Sequence, residues 1–255
     1  MTKFLKTDSD VRIIKDANIR VSDELRPGAY LIKKFPMSEE LYLSEIEPFK
    51  IPKKVYGNAE WLTERILNTY SQRSGSTGVL LTGEKGSGKT MLSKMLSHKS
   101  GLPVIIVDAE WHGTSFNDFL YSIKQKCVIL FDEFDKNYAY DKQEKVLSLL
   151  DGVFDGQKLF IVTANKTSHL TGYVTNRPGR FFYHVEYESI ENDLIEEFCK
   201  DKNISDEIII ELKDLAYSFS GFNFDNRQFL KCAENLKVFM CNVDRFLHEI
   251  DIVVS

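Results

Sequence analysis

The sequence predicts an α/β fold: a five-stranded parallel sheet covered by helices on both faces, a small N-terminal β-hairpin element and a C-terminal helical subdomain. Three observations predict it. Short apolar runs alternate with helix-period segments between residues 78 and 185, as in a parallel sheet buried on both faces. A glycine-rich loop joins the first of these runs to a helix. Beyond about residue 188 the strand signals stop and only helical patterns follow.

Taken in order, Ala29-Tyr30-Leu31-Ile32 and Leu41-Tyr42-Leu43 read as two strands joined by the turn-rich Pro36-Met37-Ser38-Glu39-Glu40. Residues 1–55 are therefore expected to form a small β-rich element packed on the main domain. Trp61, Ile66, Leu67 and Tyr70 lie on a helix, and Gly78-Val79-Leu80-Leu81 is the first core strand. A helix over 90–96 follows, then a strand at Val104–Val107, a short helix with the stripe Phe116, Phe119, Leu120 and Ile123, and a strand at Val128–Phe131. Val146, Leu147, Leu149, Leu150, Val153 and Phe154 mark another helix, and strands are expected at Leu159–Val162 and Phe181–Val185. Four helices over 190–199, 207–219, 225–238 and 243–254 complete the chain. The expected division is 1–55, a core at 56–188 and a helical lid at 189–255.

The 255 residues are 43% hydrophobic and 28% charged, which suits a globular protein with a substantial core. A net charge of −5 argues against a generic nucleic-acid binder. No apolar run reaches the ~18 residues of a membrane span, and MTKFLKTDSDVR lacks the apolar centre of a signal peptide. Cys127, Cys199, Cys232 and Cys241 form no C-x-x-C pair, so they read as reduced, mostly buried thiols, and a cytoplasmic setting is expected.

The loop is the most informative stretch. Residues 83–90, GEKGSGKT, fit G-x-x-x-x-G-K-[ST], the P-loop of nucleoside triphosphatases. Gly83, Gly86 and Gly88 let the backbone curl and aim N–H groups at an anion, and Glu84, Lys85, Ser87 and Met91 complete the cradle and the first helical turn. Lys89 can reach the β- and γ-phosphates of ATP, and Thr90 can place its hydroxyl on Mg²⁺. The strand–loop–helix context sets a helix N-terminus against the phosphates. Asp132 and Glu133 end the strand VILF, where side chains border the crevice at the carboxyl ends of parallel strands. Asp132 is a candidate ligand to Mg²⁺, and Glu133 a candidate base for an attacking water. An adjacent base favours hydrolysis over transfer to another substrate.

With GEKGSGKT, VILFDE, FIVTAN and NRPGRF in this order, the chain resembles an AAA+ ATPase, and within that group the AAA family proper, over about residues 52–255. The segments RSGSTGVLLTGEKGSGKT, DEFDK, LLDG and NRPGRFFYH are also similar to AAA proteins encoded by tailed phages, for which the compartment would be the host cytoplasm. The resemblance implies a sensor role for Asn165 and makes Arg177 and Arg180 arginine-finger candidates. It sets Val55, Tyr56 and Gly57 against the adenine. It also implies assembly of the chain with itself, as a ring of six. Fingers distant from their own phosphates must reach a neighbour's site, where a bidentate guanidinium suits a phosphoryl transition state. Arg227 sits where a second sensor arginine can occur, although the AAA family proper usually lacks it and a solvated helix arginine is the simpler reading. Trp111-His112-Gly113 has the form of the aromatic pore loop that grips polypeptide in unfoldases. The alternative is a Trp folded back onto the core beside a Gly turn.

The function expected from these features is ATP hydrolysis coupled to remodelling of a macromolecule, with a protein substrate favoured by the acidic composition. The alternatives are a DNA-linked ATPase of helicase or clamp-loader type, which the charge disfavours, and a nucleotide-gated binding module with little turnover. No metal constellation beyond nucleotide-bound Mg²⁺ is visible, and no membrane partner is expected.

Overall fold

The computed structural model describes residues 3–6, 11–14, 22–83, 87–150, 154, 156–172, 180–187 and 192–218. Two short strands, β1 (Lys3–Lys6) and β2 (Val11–Ile14), pair antiparallel as a separate ribbon. The remaining strands form one sheet: β3 (Gly28–Lys34), β4 (Leu41–Ile46), β5 (Thr77–Gly83), β6 (Pro103–Val107), β7 (Cys127–Phe131), β8 (Lys158–Ala164) and β9 (Tyr183–Tyr187). Their order is β4-β3-β6-β7-β8-β5-β9, and every pairing is parallel except β3 with β4.

The sheet therefore has seven strands where the sequence predicts five. The five expected strands are all present. The two extra ones are the N-terminal hairpin, which joins the sheet through the register Gly28↔Pro103 to Leu31↔Ile106. The hairpin is readable locally from its apolar alternation and turn residues. That β3 also pairs with β6 depends on a contact between residues some 75 positions apart, which no local pattern encodes.

Strand period two explains how both faces are filled. Leu80, Ile105, Val107, Ile129, Phe131, Phe160 and Val162 point to one face and pack with Phe116, Leu120, Phe134, Tyr138, Val146 and Leu149. Those partners come from α3 (Thr114–Ser122), α4 (Phe134–Asn137) and α5 (Tyr140–Leu150), together with Tyr138 just beyond α4. Val79, Leu81, Val104, Ile106, Val128, Leu130, Leu159 and Ile161 point to the other face. They pack with Ile66 and Tyr70 of α1 (Ala59–Gln72) and with Leu92 and Leu96 of α2 (Lys89–Lys99). Each such apolar side chain contributes about 1.5–3 kcal/mol relative to exposure, so the β5–β8 region is anchored from both sides. Trp61 sits on α1 but outside the buried row, 56% exposed with the Arg65 guanidinium over its ring.

After β9 come α6 (Asn192–Asp201) and α7 (Asp206–Ser218), which pack on each other. These match the first two helices expected of the lid. The last two, over 225–238 and 243–254, lie outside the described residues, as do Arg227, Cys232 and Cys241. Cys127 and Cys199 are buried and unbonded, and burial pushes both thiols up to about 11, which keeps them protonated.

Candidate nucleotide site

The parallel strands β5, β6, β7 and β8 all end at one edge, so the segments that follow them meet there. β5 delivers the glycine loop. Gly83 has φ +138°, and a Cβ there would stand 2.4 Å from the carbonyl oxygen of Tyr187, so only glycine lets β9 approach the loop this closely. Gly88 has φ +108° and is the left-handed residue that opens α2; no side chain caps that helix. Its first N–H groups thus carry the positive end of the helix dipole without an internal carboxylate or hydroxyl partner at the cap.

Lys89 is only 6% exposed, and its Nζ donates to the carbonyl oxygen of Gly83 at 2.5 Å. The ammonium is thereby folded over the loop it starts from. Ser87 Oγ is buried and has no hydrogen-bond partner among the described residues. A buried ammonium, an orphaned hydroxyl and an uncapped helix start converging on one loop are what a bound polyphosphate would satisfy, so the residues present fit ATP. Thr90, in the first turn of α2, is exposed, and Met91 is partly buried beside it. Glu84, Lys85 and Gly86 lie outside the described residues.

β7 delivers the carboxylates. Thr163 Oγ1 on the neighbouring β8 donates to Asp132 Oδ1 at 2.8 Å and accepts from the backbone N–H of Glu133 at 2.9 Å. Asn137 Nδ2 donates to the Asp132 carbonyl at 2.8 Å. Glu133 adopts the left-handed region, with φ 48° and ψ 46°, at the cap of α4. A non-glycine residue there costs of order 1–2 kcal/mol, and such strain concentrates at functional sites. The Glu133 carboxylate pairs with Lys136 Nζ at 2.5 Å, which raises the Lys136 ammonium above its ordinary range. Both partners are about half exposed, so the pair is worth little and releases readily.

Asn165, just past β8, reaches Asp135 Oδ1 at 3.4 Å through Nδ2. The Asp135 side chain is 2% exposed and faces His169 Nδ1 at 3.5 Å from its other oxygen. Asn165 therefore lies against Asp135, two residues beyond Glu133. Thr163, Asp135, Lys136 and His169 escaped the sequence reading. DEFDK did hold the signal for Asp135 and Lys136, since a turn of helix after the strand folds residues 135 and 136 back beside 132 and 133.

Two of the sequence candidates pack against their own chain in the structure, Trp111 in the folded-back arrangement given as its alternative. Trp111 does not project from its loop; it is partly buried against the apolar face formed by α3, α4 and α5. Its backbone N–H donates to Tyr138 Oη at 3.1 Å, and Tyr138 Oη donates back to the Trp111 carbonyl at 2.9 Å. The gain in apolar burial outweighs leaving the indole Nε1 buried without a partner. His112 is exposed, and Gly113 opens α3. In this conformation the loop has no free gripping aromatic. Arg180 is only 4% exposed, with its backbone carbonyl 2.2 Å from where a Cβ on Gly78 would be. Arg177 lies outside the described residues.

The segment Val55-Tyr56-Gly57 docks on α6. Tyr56 Oη donates to Asp201 Oδ2 at 2.5 Å, Lys54 Nζ donates to Asp201 Oδ1 at 2.8 Å, and the Gly57 N–H donates to Glu197 Oε2 at 2.9 Å. Tyr56 also meets Phe198 edge-on at 5.0 Å. The hydrogen bonds from Lys54 and Tyr56 hold the Asp201 carboxyl down at about 2, and the bond to Asp201 pushes the Tyr56 phenol up to about 12. A depressed carboxyl contributes stability above its ordinary pKa of 3.8 and loses it as pH falls through about 2. A raised phenol contributes below 10.0 and loses its share as pH rises through about 12. The expected result is that Asp201→Asn returns the Tyr56 ionisation toward 10.0, read as the tyrosinate absorbance difference between each protein and its Tyr56→Phe counterpart. An unchanged titration would show that this docking is absent in solution.

Among the described residues no group of three or more His, Cys, Asp and Glu could hold a metal ion, and no helix is long and apolar enough to cross a membrane. Residues 79–189 match the family described as "ATPase family associated with various cellular activities (AAA)". Curated relatives include the ATP-dependent zinc metalloprotease FTSH 9, chloroplastic/mitochondrial, of Oryza sativa subsp. japonica, 24% identical over 173 residues. That match covers 57% of this chain and 21% of the rice protein. The ATP-dependent zinc metalloprotease FtsH of Mycoplasma pneumoniae is 24% identical over 181 residues, covering 58% of this chain and 25% of that protein. Protein SAV of Sulfolobus acidocaldarius is 22% identical over 169 residues, covering 56% and 22%. The chain thus spans roughly a quarter or less of these relatives. None of its five histidines begins an H-E-x-x-H zinc motif, since the one His-Glu pair, His248-Glu249, is followed by Ile250, Asp251 and Ile252. The glycine loop, the carboxylate pair and the family match coincide on one stretch of chain, and residues 79–189 are similar to the ATPase domains of the AAA family.

Proposed function

We propose that the chain is a self-assembling ATP-driven remodeller of protein substrates. The observation that carries the reading is the convergence of the buried Lys89 ammonium with the Asp132–Thr163–Glu133 cluster at one edge of the sheet. Ser87, Gly88, Lys89 and Thr90 would hold the phosphates, and Thr90 and Asp132 would hold Mg²⁺. Bound Mg²⁺ supplies charge neutralisation on the phosphates. Glu133 takes the proton of the attacking water, and Asn165, on the adjoining strand end, orients that water. Tyr56 ties the base-side segment to α6, so a change at the nucleotide is passed to the helices beyond β9.

The relatives named as FtsH are ATP-dependent proteases, and this supports a protein substrate over DNA, as does the net charge of −5. Ring assembly, with six copies as the expected number, rests on the arginine segment. With Arg180 buried, Arg177 becomes the finger assigned to the neighbour's site. Arg177→Ala is expected to keep ATP binding and lose about 10³-fold or more in turnover. Arg180→Ala is expected to lower the melting temperature first, because it empties a buried guanidinium position. The converse pattern would reverse the two roles.

The function itself is tested by phosphate release against protein concentration, with and without an unfolded protein, single-stranded DNA and duplex DNA. Turnover that rises with concentration and with unfolded protein supports the reading. Stimulation by DNA alone, or ATP binding without turnover, overturns it.

A further inference from the structure

We propose that Thr163 is the positioning residue of the carboxylate pair, setting the Asp132 carboxylate and the Glu133 backbone with one hydroxyl. The inference rests on the reading of Asp132 as the Mg²⁺-holding group and Glu133 as the base. Thr163 is 2% exposed and follows Leu159 and Ile161 on the same face of β8, a row that is otherwise apolar. Packing alone would be served as well by valine, which has the same shape. The hydroxyl is nevertheless placed there, and both of its bonds go to the pair. It donates to Asp132 Oδ1 and accepts from the Glu133 N–H, which uses its single proton and one lone pair.

Two consequences follow for the site. With Oδ1 engaged by Thr163, the carboxylate is held about its Cβ–Cγ bond, which would leave Oδ2 free of that bond for a cation. The bond to the Glu133 N–H ties β8 to the left-handed turn at residue 133, directly beyond the end of β7. The register explains why Thr163 can do both. Phe131 pairs with Val162, so the next step along the parallel strands brings Asp132 opposite Thr163. Asn137 braces the Asp132 carbonyl through its side chain and the Glu133 carbonyl through its backbone N–H at 3.0 Å, but neither bond reaches a carboxylate or the Glu133 N–H.

The test compares wild type, Thr163→Val and Thr163→Ser. The affinity for Mn²⁺ in the presence of a non-hydrolysable ATP analogue is read by electron paramagnetic resonance. Alongside it are measured kcat and KM for ATP, and the melting temperature. Thr163→Val is expected to weaken Mn²⁺ binding and to lower kcat by about 10–100-fold, the usual effect of removing a group that orients a metal ligand. KM should stay close to wild type, and Thr163→Ser should restore both Mn²⁺ affinity and kcat. A structural role alone would lower the melting temperature and leave Mn²⁺ affinity unchanged in the folded protein. That result overturns the proposal, and so does a serine variant as impaired as the valine one. Should Thr163→Val not fold, Thr163→Cys takes its place, with the same loss supporting and the same lack of effect overturning. Wild type that binds Mn²⁺ with the analogue and turns over, beside an unimpaired valine variant, overturns this inference alone. Wild type that does neither overturns the nucleotide reading and this inference together.

Discussion

Glu133→Gln is expected to cut ATP turnover by about 10²–10⁴-fold, the range over which a positioned general base contributes, while leaving ATP binding intact. The substitution keeps size and shape and removes only the capacity to take a proton. It leaves the left-handed turn at 133 in place, because that turn is held through the backbone N–H by Thr163, not through the carboxylate. It breaks the pair with Lys136, but both side chains are about half exposed and solvent screens such a contact, so little stability is lost with it. The melting temperature should therefore barely move. Phosphate release, titration of a fluorescent ATP analogue and thermal unfolding together separate these effects. Turnover within tenfold of wild type would remove Glu133 from the role of base. A loss of binding equal to the loss of turnover would mean that the carboxylate serves the phosphates or the cation instead.

Much of this site was legible because its parts are local in sequence. Lys89 lies a few residues from Gly83, and Asp132 and Glu133 are adjacent, so one motif carries each group. Thr163 was not legible in that way. Its meaning depends on β8 lying beside β7 in a register that sets it opposite Asp132, and nothing in FIVTAN marks a threonine as different from any other polar residue late in a strand. The burial of Arg180 is non-local in another way. NRPGRF matches a pattern whose arginines face a neighbour, yet Arg180 stands directly before Phe181, which packs on the core, and the chain there is drawn against Gly78 of β5. Trp111 divides the same way. Its loop has the form of a gripping loop, while the apolar cluster beneath it and the Tyr138 hydroxyl, 27 residues away, decide where the ring goes.

The fold shows the same split between local and non-local information. Each of the five core strands and the helices between them announces itself by period, since a strand buried on both faces has no polar alternation. The boundaries shift by a residue or two, as at β9, which runs Tyr183–Tyr187 where the apolar run begins at Phe181. The helix expected from Val146 onward proves to start earlier, at Tyr140, and is preceded by the one-turn α4. The addition of β3 and β4 to the sheet edge changes the architecture, and there the deciding contact is long-range; the β1–β2 ribbon is a further element that the sequence reading does not give.

Lys158→Ala is expected to be the most destabilising change away from the nucleotide site. Lys158 starts β8 at the edge of the sheet opposite the glycine loop and is fully buried. Its Nζ donates to the carbonyl oxygens of Ile123 at 2.8 Å and Gln125 at 2.6 Å, and it lies over the Phe154 ring at 5.6 Å. Those carbonyls follow the end of α3, where an ammonium also meets the negative end of the helix dipole. A buried lysine is tolerable only when it is satisfied in this way. Alanine removes the stem, which leaves a cavity, and strands the two carbonyls. Together these cost about 3–5 kcal/mol. At about 2–4 °C per kcal/mol for a chain of this size, the melting temperature should fall by on the order of 10 °C. Lys158→Met separates the two causes, because it retains most of the stem and loses only the donor. If packing dominates, methionine should recover most of the loss. If the hydrogen bonds dominate, methionine should be nearly as damaging as alanine, and the buried ammonium is then what fixes α3 and the chain after it against β8. A melting temperature within about 2 °C of wild type for Lys158→Ala would mean that this end of the sheet is open to water in solution, since only solvent could then satisfy the two carbonyls.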